Sequence, residues 1–314
     1  MMVAALMIIS AATWFGTTDR SDGVIRGVVT NGSEHEAPLA GVEVVLRVGI
    51  DGKFASVESV MTRADGSFEF KDLPAGTGHI YLPGANWQDV HFPGPRIVLT
   101  EERPEATAAL SVYDAVTKPS PLVIERMESQ IRVRRGVLEV TETLRIRNPT
   151  LRCYVGAPRH AGGGPVTLQL RIPPDFKRIT FEREGFGRRF AVINDQLVTG
   201  IPWPPGQREL RYTYVLATEQ KHRTWSRPLD LPCRELVVRV ETDAPESVSS
   251  NLRGKRSVAP ATVEFAARGA LPESFNVEVT LGRLPVSVAT YGRYVAAGLL
   301  VCLVGSVIWL TARR

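Results

Sequence analysis

The side chains that most often carry out chemistry are thinly spread along this sequence. Its five histidines are His35, His79, His91, His160 and His222. None belongs to an H-E-x-x-H or H-x-x-E pair, the spacing that sets metal ligands and a general base on one helix face. No Cys-x-x-Cys and no G-x-S-x-G nucleophile elbow occurs. The run 254–257, Gly-Lys-Arg-Ser, approaches the end of a phosphate loop. The glycine required five residues earlier is Ser249, however, and no strand–loop–helix unit surrounds it. The expectation is therefore a protein with no catalytic residue, no metal ligand and no cofactor; a hydrolase built on an unfamiliar motif is the remote alternative.

Three features suit binding instead. Residues 79–95 gather Tyr81, Trp87, His91 and Phe92 among turn residues, where aromatic rings can stack on a sugar or anchor a protein partner. The alternative is that they cover an edge of a small β-domain. Residues 183–189 carry Arg183, Arg188 and Arg189 around Phe186, either a contact with phosphate headgroups or a charged hairpin tip. Trp203, set among prolines, is either a contact or a core plug. Cys153 and Cys233 are the two cysteines outside the apolar C-terminal stretch. In an oxidising compartment a disulfide between them is a candidate, and it would close a loop of about 80 residues.

These residues sit on a chain that reads as strands. No segment before the C-terminus shows helical periodicity over a dozen residues, whereas short apolar runs alternate with turns. Residues 24–29, 42–48, 54–62 and 67–70 read as strands, separated by Asn31-Gly32, Asp51-Gly52 and Asp65-Gly66, pairs that supply the positive φ of a tight hairpin. Further strands are expected at 130–133, 137–147, 167–172, 208–216, 234–240 and 274–281. In 137–147 the expectation places Leu138, Val140 and Leu144 on a core, with Glu139, Thr141, Glu142, Arg145 and Arg147 mostly in water.

Ile25-Arg-Gly-Val-Val29, Pro38-Leu-Ala-Gly-Val42, Thr62 through Phe70 and Leu73-Pro-Ala-Gly76 together resemble the carboxypeptidase regulatory-like domain. That resemblance implies a transthyretin-like β-sandwich over about residues 22–100, serving as a fold-supporting or adhesive accessory with no activity of its own. The sequence departs from the family near Gly78-His-Ile-Tyr81. More loosely, residues 142–148, Pro202 to Gly206 with Tyr212 to Val215, and Gly282 to Pro285 resemble a region found beside such domains in bacterial membrane proteins.

The full expectation is mainly β, in five parts. Residues 1–19 form a signal peptide or N-terminal anchor and 20–100 a first β-sandwich. Residues 101–121 form a linker, 122–288 a second, Ig-like sandwich, and 291–312 a transmembrane helix. Residues 295–312 hold no charge, and at about 1.5 Å per residue they approach the thickness of a bilayer core. Tyr291, Tyr294 and Trp309 fit the interfaces, with Arg313 and Arg314 closing a short cytoplasmic tail. The bulk of the chain is placed outside the cytoplasm, in the periplasm or at the cell surface. Charge divides between the modules: residues 20–121 carry 9 basic and 14 acidic groups, residues 122–290 carry 26 and 18. No helix or aromatic platform organises the basic residues for nucleic acid. The partners expected are the membrane and another envelope protein, with the chain as accessory or scaffold. A surface module binding carbohydrate or another ligand is the alternative.

Overall fold

The computed structural model describes residues 20–50, 53–76, 78–134, 136–158, 163–182, 189–218, 222–253, 255–282, 284, 295 and 298–304. The fold is mainly β, and the chain divides into two compact units after Asp114.

The first unit holds two four-stranded sheets. In one, Arg20–Asn31 pairs antiparallel with Ser67–Ala75 and Ala37–Pro38, and in parallel with Glu105–Val112. In the other, Glu43–Ile50 lies between Lys53–Met61 and Ile80–Trp87, and Val90–Pro93 closes the far side. Alternation sets the core: Ile25, Val29, Phe68, Phe70, Leu110 and Val112 come from the first sheet, and Val44, Leu46, Tyr81, Ala85 and Phe92 from the second; all are buried. Gly27 has no alternative, because a Cβ there would meet the Ala108 carbonyl oxygen at 1.9 Å and the Phe68 ring at 2.5 Å.

Several expectations change here. The linker expected at 101–121 contains the strand Glu105–Val112, which completes the first unit. Its inward face, Ala108, Leu110 and Val112, is buried beside the parallel partner Arg20–Asn31. The segment 79–95 is a hairpin, Ile80–Trp87 and Val90–Pro93, turned by Gln88 and Asp89 at φ 47° and 60°. Positive φ after Asn31 falls on His35 and Glu36 rather than on Gly32, since the Asn31 side chain folds back onto the Ser33 amide. Gly66 adopts φ 75°, while 51–52 lie outside the described residues.

The second unit is organised by a seven-stranded sheet in the order Phe176–Phe181, Gly206–Ala217, Val137–Asn148, Val123–Arg134, Cys233–Glu241, Thr262–Leu271, Lys255–Ala259. All pairings are antiparallel except that of Val123–Arg134 with Cys233–Glu241. Two three-stranded sheets contribute to the same core. One is Arg223–Pro228, Asn276–Leu281, Val248–Ser250; the other is Leu168–Arg171, Gln196–Thr199, Ala191–Ile193. The strand 137–148 has its inward face at Leu138, Val140, Glu142, Leu144 and Ile146, each fully buried. Glu142, expected in water, is in the core: period two places it between Val140 and Leu144, and its charge does not change its direction.

Among the described residues no helix is long and apolar enough to cross a membrane. Of the span expected at 291–312, residues 298–304 are described as helical. Leu299, Leu300, Val301, Leu303 and Val304 are each more than half exposed. The remainder of that span, and the signal or anchor segment 1–19, lie outside the described residues.

Candidate functional site

The cluster with the most chemistry in it is inside the second unit. Val137–Asn148 and Gly206–Ala217 pair with Glu142 directly opposite Tyr212 and Val140 opposite Tyr214, so the two phenols and the carboxylate share one face. Tyr212 donates its hydroxyl to Glu142 Oε2 at 2.5 Å, and Tyr214 donates to Oε1 at 2.8 Å. From the three-stranded sheet, Arg227 donates through Nε to both oxygens, at 3.1 and 3.2 Å. Trp225, two residues earlier on the same face, donates its indole N–H to the Tyr214 hydroxyl at 2.9 Å. Arg227 is then held from its other side by Asp230 at 2.8 Å and by the Pro228 carbonyl. Asp230 continues to the third sheet, accepting from the Arg171 backbone amide at 2.9 Å and from Arg171 Nε at 2.7 Å.

Three sheets are thus joined by one chain of charge-assisted bonds through the core. An isolated carboxylate here would cost several kcal/mol, and an isolated guanidinium the same. Full satisfaction of both removes that penalty. Burial and the neighbouring Glu142 carboxylate push Tyr212 and Tyr214 well above the usual phenol range. Burial disfavours the Arg227 charge, but Glu142, Tyr212 and Asp230 outweigh it and hold the guanidinium pKa well above its ordinary value. A phenol so disposed is a poor proton donor in a reaction, and a carboxylate holding two phenols and an arginine has no lone pair directed at a substrate. An open groove of about 790 Å³, lined in part by Lys118, Tyr154, Gln169, Arg171, Asp230 and Glu273, reaches this chain at Arg171 and Asp230. Glu142, Tyr212, Tyr214, Trp225 and Arg227 do not line it. The arrangement is built to hold sheets together.

The residues singled out from sequence are distributed differently. Tyr81 and Phe92 are buried, and the Tyr81 hydroxyl donates to the Pro74 carbonyl at 2.7 Å. Trp87 is half-buried and donates its indole N–H to Asp114 at 3.2 Å. His91 is exposed, with its ring over Gly84, where a Cβ would come within 2.5 Å of Cε1. Its Nδ1 lies 2.8 Å from Asn86 Oδ1, and Asn86 in turn donates to Glu43. Desolvation of that ring, then the charge of Arg47, lowers the His91 pKa. The hairpin therefore directs two of the four aromatics into its own core and leaves Trp87 and His91 accessible.

Arg183 and Arg188 lie outside the described residues; Arg189 is exposed, next to the buried Phe190. Cys153 and Cys233 are free and buried. They are not joined, because Cys153 belongs to a short ladder with Ala115–Val116 while Cys233 begins a strand of the main sheet. Burial pushes each thiol up to about 11. Trp203 is buried, its backbone bridging Tyr154 and the Arg208 guanidinium lying 5.5 Å from its ring centre. Among the described residues no three His, Cys, Asp or Glu side chains are grouped to hold a metal ion.

No family model matches the chain, and no curated protein matches it. Among solved structures it is similar to an M1 zinc metallopeptidase from Deinococcus radiodurans, at 15% identity and a TM-score of 0.32. The match covers 51% of this chain and 42% of that one. It is also similar to yeast LTA4 hydrolase in complex with bestatin, at 8% identity and a TM-score of 0.33, over 55% and 31% of the two chains. The chain spans less than half the length of either structure, and likeness at this level carries no argument about activity.

Proposed function

We propose that this chain is a non-enzymatic accessory protein, anchored in a membrane by its C-terminal segment, that presents two β-sandwich units outside the cytoplasm for docking on another envelope protein. The observation that carries this reading is the saturation of the Glu142–Arg227 cluster. The strongest ionic groups of the core bond to one another across three sheets and leave none turned toward a substrate. The paired four-stranded sheets of the first unit fit the transthyretin-like resemblance, whose members support or adhere rather than catalyse. The helical residues 298–304, apolar and exposed at Leu299, Leu300, Val301, Leu303 and Val304, suit a lipid environment better than water. A carbohydrate-binding role through Tyr81, Trp87, His91 and Phe92 is the weaker reading, because Tyr81 and Phe92 are committed to the core.

The test is co-purification from native membranes in mild detergent, with the tag placed after Arg314. The account expects one protein retained in stoichiometric amount and lost when residues 20–284 are deleted. A preparation that retains no protein but whose full chain binds a glycan would replace docking with ligand binding.

A further inference from the structure

The second unit has a distinct end at which the chain leaves it. Asn276–Leu281 finishes there, opposite Arg223 and Val248, and Leu284 is buried. Residues 285–294 separate Leu284 from Val295, and ten residues extend at most ~36 Å. This end of the unit is therefore tethered close to any bilayer that holds 295–312.

A cavity of about 630 Å³ opens at this same end, lined by Lys177, Ala217, Thr218, His222, Arg223, Thr224 and Thr280. Its composition suits an anion: two cations, an imidazole and three hydroxyls, of which those of Thr224 and Thr280 lie 3.3 Å apart. Arg223 is tied down by bonds to the Ala217 carbonyl and the Asp175 carboxylate, while its Nε is buried with no protein partner. Arg134, on the strand that turns back through Gly136 beside Thr218, is exposed, as are Lys177 and Arg178. Among the described residues the acids near this end are Asp175, bonded to Arg223, Glu139 and Glu241, both paired with Arg132, and Asp243 and Glu246, which flank the turn whose Ser247 hydroxyl donates to the Gly282 carbonyl. The cationic groups at this end come from three strands, Val123–Arg134, Phe176–Phe181 and Arg223–Pro228. The strand Phe176–Phe181 runs from Phe176, opposite Leu216, to Phe181, opposite Tyr212, away from this end.

We propose that this end of the second unit binds the phosphate of an anionic phospholipid headgroup, with Lys177 and Arg223 as its cations and Arg134 and Arg178 at its rim. The site gives the tethered unit a fixed orientation: it stands on the membrane by this end and its other surfaces face outward. The inference rests on the proposed membrane anchor.

The experiment reconstitutes the full chain into nanodiscs of phosphatidylcholine, with and without about one-third phosphatidylglycerol, and follows hydrogen exchange by mass spectrometry. Amides of 176–181 and 217–228 should exchange more slowly in the anionic discs. Lys177→Glu with Arg178→Glu should abolish the difference, each lost contact weakening docking about fivefold. Arg145→Glu, on the strand toward Asn148, should leave it intact. Incorporation into both discs with identical exchange would overturn the headgroup site alone. Equal protection by inorganic phosphate in neutral discs would make it a soluble-anion site and overturn the lipid assignment. A chain that enters neither disc would overturn the anchor, and the headgroup site with it.

Discussion

The two units solve the same problem, a polar group trapped between β-sheets, with different chemistry. In the first, the buried polar side chains are neutral. Asn31 donates to Asp114 and accepts from the Ser33 amide, and the Thr62 hydroxyl accepts from the Val42 amide and donates to the Leu39 carbonyl. Each fastens the end of a strand to a neighbouring loop. In the second, a carboxylate and a guanidinium lie wholly inside, and their bonds cross from one sheet to the next. Neutral bonds give about 1 kcal/mol each and fail gently, whereas a buried ion pair contributes little net but fails severely when halved. The first unit should therefore tolerate loss of a polar residue, and the second should not.

The largest effect expected is at Glu142. Glu142→Ala strands Arg227 and removes the acceptor of two phenols, and should lower stability by about 3–5 kcal/mol. It is read by urea unfolding of the full chain in mild detergent, followed by Trp225 fluorescence, since that indole bonds into the same cluster. In the first unit, Asn31→Ala should cost ~1–3 kcal/mol, through the desolvated groups it leaves unpaired. A larger loss there than at Glu142 would break the comparison. Thr62→Val should cost about 1–2 kcal/mol, both first-unit variants being read by urea unfolding followed through Trp87 of that unit.

The cysteines sharpen the comparison through pH. Burial raises both thiols to about 11 in the folded state, above their unfolded values near 9. The stability they contribute is therefore complete below about pH 8.5 and is lost as pH rises through 9 to 11. The urea midpoint should fall across that window, and Cys153→Ala with Cys233→Ala should flatten the fall. The smallest effect belongs to the surface. Arg239 and Glu264, 2.7 Å apart with the arginine exposed and the glutamate half-buried, form a pair whose removal by Arg239→Gln should change stability by about 1 kcal/mol or less.

Much of this architecture was legible because period-two patterns survive in strands with one buried face. The strand expected at 137–147 is Val137–Asn148, that at 208–216 is Gly206–Ala217, and that at 234–240 is Cys233–Glu241. The cluster was missed because charge was weighed above phase. Glu142 lies in step with Val140 and Leu144, Tyr212 and Tyr214 with Leu210 and Leu216, and Arg227 with Trp225 and Leu229. A glutamate, two tyrosines and an arginine on inward phases of separate strands were the signal. What no local pattern carried was long-range pairing. The alanine-rich strand Glu105–Val112 exists because Arg20–Asn31 lies parallel to it, some eighty residues earlier. The turns at Gln88-Asp89 and Asn194-Asp195 take positive φ without a glycine, so the usual hairpin signal was missing.

The central claim is that the buried charges serve the fold, and the urea midpoint of Arg227→Met, alone and with Glu142→Leu, tests it most directly. The account predicts that Arg227→Met loses about 3–5 kcal/mol and that the double variant regains part of it, because no buried charge is left stranded although two phenols lose their acceptor. An Arg227→Met protein as stable as its parent, or more so, would contradict the account; that is the behaviour of a residue kept for chemistry at the expense of stability.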